Sequence, residues 1–156
     1  IRWRYPLPDE SIYAYQAEDV LEHIEIGEVV PALNEIYRIL KKGSVLRICL
    51  PDYNSPYLSR ISLKDDTGKI LYDPTGGGEL GLFGIGNGGH LWFPTYHLVR
   101  GLLEKSSFKE VDFICYYTVK GELVKNKFDY LNGYVNRVSD IEDDREIYSI
   151  IVDCKK

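Results

Sequence analysis

Methionine is absent from all 156 residues. A chain that opens Ile-Arg-Trp-Arg with no initiator is expected to be a fragment or a processed product. Long apolar runs are missing too. Nothing approaches the roughly 20 apolar residues that span a bilayer, and no short apolar stretch near the start reads as a signal sequence. No membrane partner is expected. There is no basic excess: 19 Lys and Arg face 24 Asp and Glu, for a net charge of −5. Nucleic-acid surfaces are normally basic, so no nucleic-acid partner is expected. Paired cysteines are absent as well. Cys49, Cys115 and Cys154 each lie inside an apolar strand-like run, and none belongs to a C-x-x-C. Such cysteines read as buried free thiols in a reducing, cytoplasmic setting. No Walker loop, nucleophile elbow or cluster with metal-ligand spacing occurs, so no metal is expected.

What remains is ordinary globular material. Apolar residues make up 44% and charged residues 28%, a balance that supports a single domain with its own core. Ile1 to Tyr5 alternates apolar with basic and suggests a short half-exposed strand, ended by Pro6 and Pro8. Ile12 to Ala17 is rich in β-formers. Glu18 to Ile24 suits one helical turn. Val29, Leu33, Ile36, Tyr37 and Leu40 then fall on one face of a helix. Pro31 is expected in its first turn, Lys41 and Lys42 at the negative end of its dipole, and Gly43 at the C′ position. Val45 to Leu50 follows as a strand.

Residues 53–89 read as an insertion, with a hairpin turn at Asp65-Asp66-Thr67-Gly68 and a mobile glycine-rich loop from Pro74 to Gly89. Thr95 can cap a helix over 96–105, and Val111 to Tyr117 is a strand. Residues 118–145 form a second, polar insertion with an acidic turn at Asp140 to Asp144. Glu146 to Asp153 is the last strand. Alternating helices and strands imply a mostly parallel sheet with helices on its faces. The last two strands, joined without a crossover helix, are expected to be antiparallel.

Val20-Leu-Glu-His-Ile24, Ala32-Leu-Asn-Glu-Ile-Tyr-Arg-Ile-Leu-Lys-Lys-Gly43 and Val45-Leu-Arg-Ile-Cys-Leu-Pro-Asp52 together resemble the centre of class I S-adenosylmethionine-dependent methyltransferases. Pro6-Leu-Pro-Asp-Glu-Ser11, Gly89-His-Leu-Trp-Phe-Pro-Thr95 and Leu102-Leu-Glu-Lys-Ser-Ser-Phe108 resemble flanking passages of the same family. The resemblance implies an α/β, partial Rossmann-like sheet in a single N-terminally incomplete domain, 1–156. Strands 12–17, 45–50, 146–153 and 111–117 would lie side by side in that order. It implies S-adenosylmethionine as cofactor and methyl transfer to a small polar acceptor, of sugar or polysaccharide type. The glycine motif that holds the cofactor in that family does not occur before strand 12–17. A non-catalytic half-domain that assembles through an exposed strand edge, or an inactive fragment, is therefore the other expectation, with a homo-oligomer as the partner state.

In open α/β sheets ligands bind beyond the carboxyl ends of the strands. That rule and the resemblance select Glu18, Asp19 and His23 as catalytic candidates. They select Leu7, Gln16 and Ala17 for cofactor contact, and Asp52, Tyr53 and His90 for substrate contact. Glu18 and Asp19 serve equally well as helix caps, and His23 and His90 as packing or loop-ordering residues. Gly84-Ile-Gly-Asn-Gly88 spells a nucleotide-loop pattern. The stretch before it is a poor strand, because a glycine interrupts it, and an insertion loop is the better reading.

Overall fold

A computed structural model of the chain describes residues 4–82, 84–133 and 148–156. The elements are β1 (Ile12–Glu18), a 3-10 turn (Leu21–His23), α1 (Ile26–Ile39), β2 (Leu40–Pro51), α2 (Pro56–Ile61), β3 (Leu63–Lys64) and β4 (Ile70–Tyr72). They continue through β5 (Glu79–Gly81), β6 (Gly84–Gly86), α3 (Tyr96–Glu104), β7 (Glu110–Tyr117), β8 (Leu123–Lys125), a second 3-10 turn (Tyr130–Asn132) and β9 (Ser149–Lys155).

The main sheet has the order β1-β2-β9-β7-β8. β1 is parallel to β2, and β9 is antiparallel to both of its neighbours. β7 therefore runs in the same sense as β2. This is the mixed α/β sheet expected from the sequence, with the last strand inserted antiparallel, and β8 is an added edge strand.

Alternation along β2 splits its side chains between two faces. Leu46, Ile48 and Leu50 pack with Val29, Leu33 and Ile36 of α1, Val99 and Leu103 of α3, and Ile150 and Val152 of β9. Each such aliphatic side chain contributes on the order of 1.5–3 kcal/mol by leaving water. Arg47 and Cys49 point the other way. Among the described residues, both long helices cover the first face only. The second is covered by residues 128–133, which Arg47 ties down through the carbonyls of Asp129 and Gly133. Helices pack on the sheet as expected, with α1 and α3 sharing one face.

Two local expectations fail. α1 starts at Ile26, so Pro31 lies inside it rather than in its first turn. The hydrogen bond lost there would have gone to the carbonyl of Gly27, four residues back, which is exposed and open to water. At the other end α1 stops at Ile39 and Leu40 is already extended, so Gly43 is not its C′ residue. Gly43 instead takes φ +77° in a β2 bulge, where the register moves from Ile12↔Leu40 to Ala14↔Val45. Its N–H donates to the Lys156 carbonyl at 2.7 Å.

The Asp65–Gly68 turn does form between β3 and β4. Asp65 Oδ1 accepts from Thr67 N, Thr67 Oγ1 and Lys69 N. Gly84-Ile-Gly86 is half of the β5–β6 hairpin, an insertion hairpin rather than a turn between strand and helix. Of the opening segment, Arg4 and Tyr5 are not in a strand. The Tyr5 N–H donates to Glu35 Oε1 at 2.7 Å, and its hydroxyl meets that of Tyr15. The Asp140–Asp144 turn lies outside the described residues, as do Ile1–Trp3 and the start of the last expected strand.

Candidate functional site

β1 and β2 end side by side, and the chain turns sharply after each. After β1 the turn is made by Asp19, at φ +52°, whose N–H donates to the Cys49 carbonyl. The 3-10 turn that follows carries Glu22 inward to full burial. Residues 90–92 are fastened across this turn. Leu91 N donates to the Glu22 carbonyl at 2.8 Å, and Trp92 Nε1 donates to the Leu21 carbonyl at 2.9 Å. His90 is thereby set over Glu22, with its Nε2 3.9 Å from Glu22 Oε1.

After β2, Pro51 and Asp52 lead to Tyr53, which is buried beneath the same segment. The Tyr53 hydroxyl donates to Asp73 Oδ2 at 2.6 Å and lies 2.5 Å from His90 Nδ1. Burial pushes the Asp73 carboxyl upward, but the hydroxyls of Tyr53 and Thr75 and the nearby His90 outweigh it, leaving the pKa below its usual value. A hydroxyl with one proton that donates to Asp73 must accept from His90. The Nδ1 of His90 therefore carries the proton, and its Nε2 faces Glu22. His23 completes the group. Its Nδ1 is 3.2 Å from the Gly89 carbonyl and its ring stands edge-on to His90, with centroids 4.8 Å apart.

The glycine-rich segment is shaped around this group. A Cβ on Gly76 would sit 2.6 Å from His90 Nδ1, so a side chain there would displace the imidazole. Beside the network lies an open cleft of about 890 Å³ between the two small hairpins and the start of α3, lined in part by Tyr53, Asn54, Lys64, Lys69, Trp92 and Phe93.

The residues selected from sequence therefore divide. His23, Tyr53 and His90 come together. Glu18 and Asp19 stand nearby at the end of β1, with Gln16 Nε2 reaching Glu18 Oε2 at 3.4 Å. Ala17 is part of the core at 1% exposure, so its side chain cannot line an open cofactor pocket. Leu7 lies at the far end of β1, where its carbonyl accepts from Arg38 Nη1, and the length of the strand separates it from Gln16. Asp52, expected to meet substrate, is fully buried. Its carboxylate accepts from Tyr117 N at 2.6 Å and Asn54 N at 3.0 Å, clasping the ends of β2 and β7 together. Burial raises its pKa to about 6 against the pull of those two N–H groups.

Three residues without metal-ligand spacing in the sequence are brought together by the fold. Ligand atoms of Glu22, His23 and His90 lie within 4.8 Å of one another. Glu22 and Asp73 are the members of the network that sequence reasoning passed over. Glu22 was in view, inside Leu21-Glu-His23. Asp73 carries no local signal.

The sheet is like part of the Rossmann-like sheet of solved S-adenosylmethionine-dependent methyltransferases. No family profile and no curated protein matches the sequence. Among solved structures, 97% of this chain matches 59% of a SAM-dependent methyltransferase from Thermotoga maritima, described as a possible histamine N-methyltransferase, with TM-score 0.54 and 21% identity. In a second case, 96% of the chain matches 62% of a SAM-dependent methyltransferase from Archaeoglobus fulgidus, with TM-score 0.53 and 18% identity. The chain thus spans about three-fifths of the length of each. At these identities the likeness establishes the fold.

Proposed function

We propose that this chain is the acceptor-side part of an S-adenosylmethionine-dependent methyltransferase acting on a small polar acceptor, of sugar or polysaccharide type. The observation that carries the reading is the cleft at the carboxyl end of β2. It is walled by Tyr53, and behind that residue lies the connected group Tyr53, His90, Asp73 and Glu22, in a sheet of methyltransferase order. In this reading Glu18 and Asp19 orient the acceptor or take its proton, while Tyr53 walls its pocket and His90 and His23 stand behind it. Catalysis of this kind depends chiefly on alignment.

For the cofactor, the described residues fit one side of a site only. β1 is an edge of the sheet, with β2 as its only partner strand among the described residues. Gln16 and Glu18 are the polar side chains at its carboxyl end. Calorimetric titration of the 156-residue chain with S-adenosylhomocysteine tests the proposal. Saturable heat supports it. Its absence at high ligand concentration sinks it for this chain.

The unpaired edge of β1 favours a second reading, an assembly module that joins another copy through that strand. Tyr13 on β1 is 76% exposed, so the edge is not covered at that point. Sedimentation at increasing concentration should then show a dimer. A strict monomer throughout would dismiss it.

A further inference from the structure

We propose that Glu22, His23 and His90 bind a divalent transition-metal ion of the zinc type. The inference rests on the arrangement of these side chains and stands whether or not the chain transfers methyl groups.

Three features carry it. The first is convergence. Ligand atoms from all three side chains lie within 4.8 Å of one another, and Glu22 Oε1 is 3.9 Å from His90 Nε2. In a tetrahedral site with bonds near 2.0–2.1 Å, ligand atoms sit roughly 3.3 Å apart. Side-chain rotations that close the group by an ångström or so reach that spacing. The donor set is two imidazoles and one carboxylate, which suits zinc and its neighbours. A four-coordinate ion would leave one position for water or a ligand oxygen.

The second feature is the support behind the ligands. A ligating histidine generally donates its other ring N–H to a carbonyl or a carboxylate, which fixes the tautomer and aims the remaining nitrogen at the metal. His23 Nδ1 lies 3.2 Å from the Gly89 carbonyl. His90 Nδ1 donates to the Tyr53 hydroxyl, which donates in turn to Asp73. That chain turns His90 Nε2 toward Glu22.

The third is rigidity. His90 is 5% exposed and boxed in by Gly76, while His23 is only half buried, which leaves a side from which an ion can enter. Neither histidine depends on sequence neighbourhood to meet the other. The loop 73–90 folds back to bring them together, so a search for ligand spacing misses the group.

The simplest competitor is a proton on His90 Nε2, giving an ion pair with Glu22. Titration of the chelator-stripped chain with Co²⁺, followed by visible absorption, separates the two. One equivalent should bind and give the ligand-field bands of a low-symmetry site without a thiolate charge-transfer band, since the three cysteines lie elsewhere. Zn²⁺ should displace it. Glu22→Gln, His23→Asn and His90→Gln should each weaken binding at least tenfold, and His97→Asn should leave it unchanged. No saturable Co²⁺ binding to the wild-type chain overturns the proposal. So does a thiolate band, or binding unaffected by all three ligand substitutions. Should a variant fail to fold, the wild-type spectrum and a rise in melting temperature with Zn²⁺ still decide the matter.

Discussion

Two buried polar groups stand at different places on the same sheet, and they are built on different principles. On the face covered by residues 128–133, Arg47 is fully buried and meets Asp153 in a two-bond fork, with Nε–Oδ1 and Nη2–Oδ2 both at 2.7 Å. Among the described residues it also donates to the Asp129 and Gly133 carbonyls, and its plane lies 4.1 Å over the Phe128 ring. One cation is matched to one anion, and the geometry fixes backbone. At the strand ends, Glu22, His23, His90, Tyr53 and Asp73 join groups that can exchange protons or ligate an ion, and one of them walls an open cleft. Burial alone therefore does not mark a functional site. A planar, fixed-charge fork is a fastener, whereas imidazoles held by their far nitrogens are poised for a ligand.

Removing one half of the fastener gives the largest expected effect. Arg47→Met leaves Asp153 buried without its partner and releases residues 128–133. It should lower the unfolding free energy by about 3–5 kcal/mol. Urea denaturation measures this, and Arg47→Met with Asp153→Leu should recover much of the loss. A single-variant cost below about 1 kcal/mol would remove Arg47 from the structural side of the comparison.

Asp52 comes next. Its folded pKa, about 6, is raised from 3.8. The folded state therefore holds that proton to higher pH than the unfolded chain does. The stabilisation is complete below pH 4, is lost as pH rises from 4 to 6, and is flat above. The amplitude from this group is on the order of 3 kcal/mol. Asp65 and Asp73 have lowered pKa values and act in the opposite sense, so wild type minus Asp52→Asn is the curve to measure. A flat difference between pH 4 and 6 would refute the assignment.

The frame of the molecule was readable because it rests on periodicity. The apolar stripe of α1, the alternating β2 and the Thr95 cap all follow from local pattern, whereas the order of the four principal strands follows from the resemblance to methyltransferases. Where reading failed, tertiary context decided. Pro31 looked like a helix start only because the turn from Ile26 to Val30 is weakly marked. Gly43 suits a helix cap by its place after Lys41 and Lys42, but its positive φ serves a bulge. At the strand ends, the rule selects a neighbourhood but not the direction of each side chain. Ala17 points into the core and Asp52 toward the backbone of Tyr117. Asp73 carries no local signal, and only the folding of residues 73–90 over the strand ends joins it to Glu22 through Tyr53 and His90.

Tyr53→Phe probes the other side of the comparison. The ring keeps its edge contact with Phe93, with centroids 5.0 Å apart, and only the hydroxyl is lost. Asp73 and His90 both lose a partner, and stability should fall by about 1–2 kcal/mol. The larger consequence should be functional. Without that hydroxyl the tautomer of His90 is no longer fixed, and Co²⁺ affinity should drop about tenfold or more. Equal stability loss with unchanged metal affinity would make Tyr53 a packing residue only.

The smallest effect is expected at a control pair. Arg100 and Glu104 form an i,i+4 ion pair on α3 at 2.9 Å, with both side chains more than half exposed. Solvent screens such a pair and its ordering entropy opposes it, so it adds little. Arg100→Ala should leave the urea midpoint unchanged within error in 0.15 M salt. It shares with Arg47 a guanidinium on a carboxylate at close range and differs in burial and in the number of backbone groups held. If Arg100→Ala shifted the midpoint as far as Arg47→Met, ion pairing itself would be stabilising this sheet. The distinction between the fastened face and the strand-end group would then lose its physical basis.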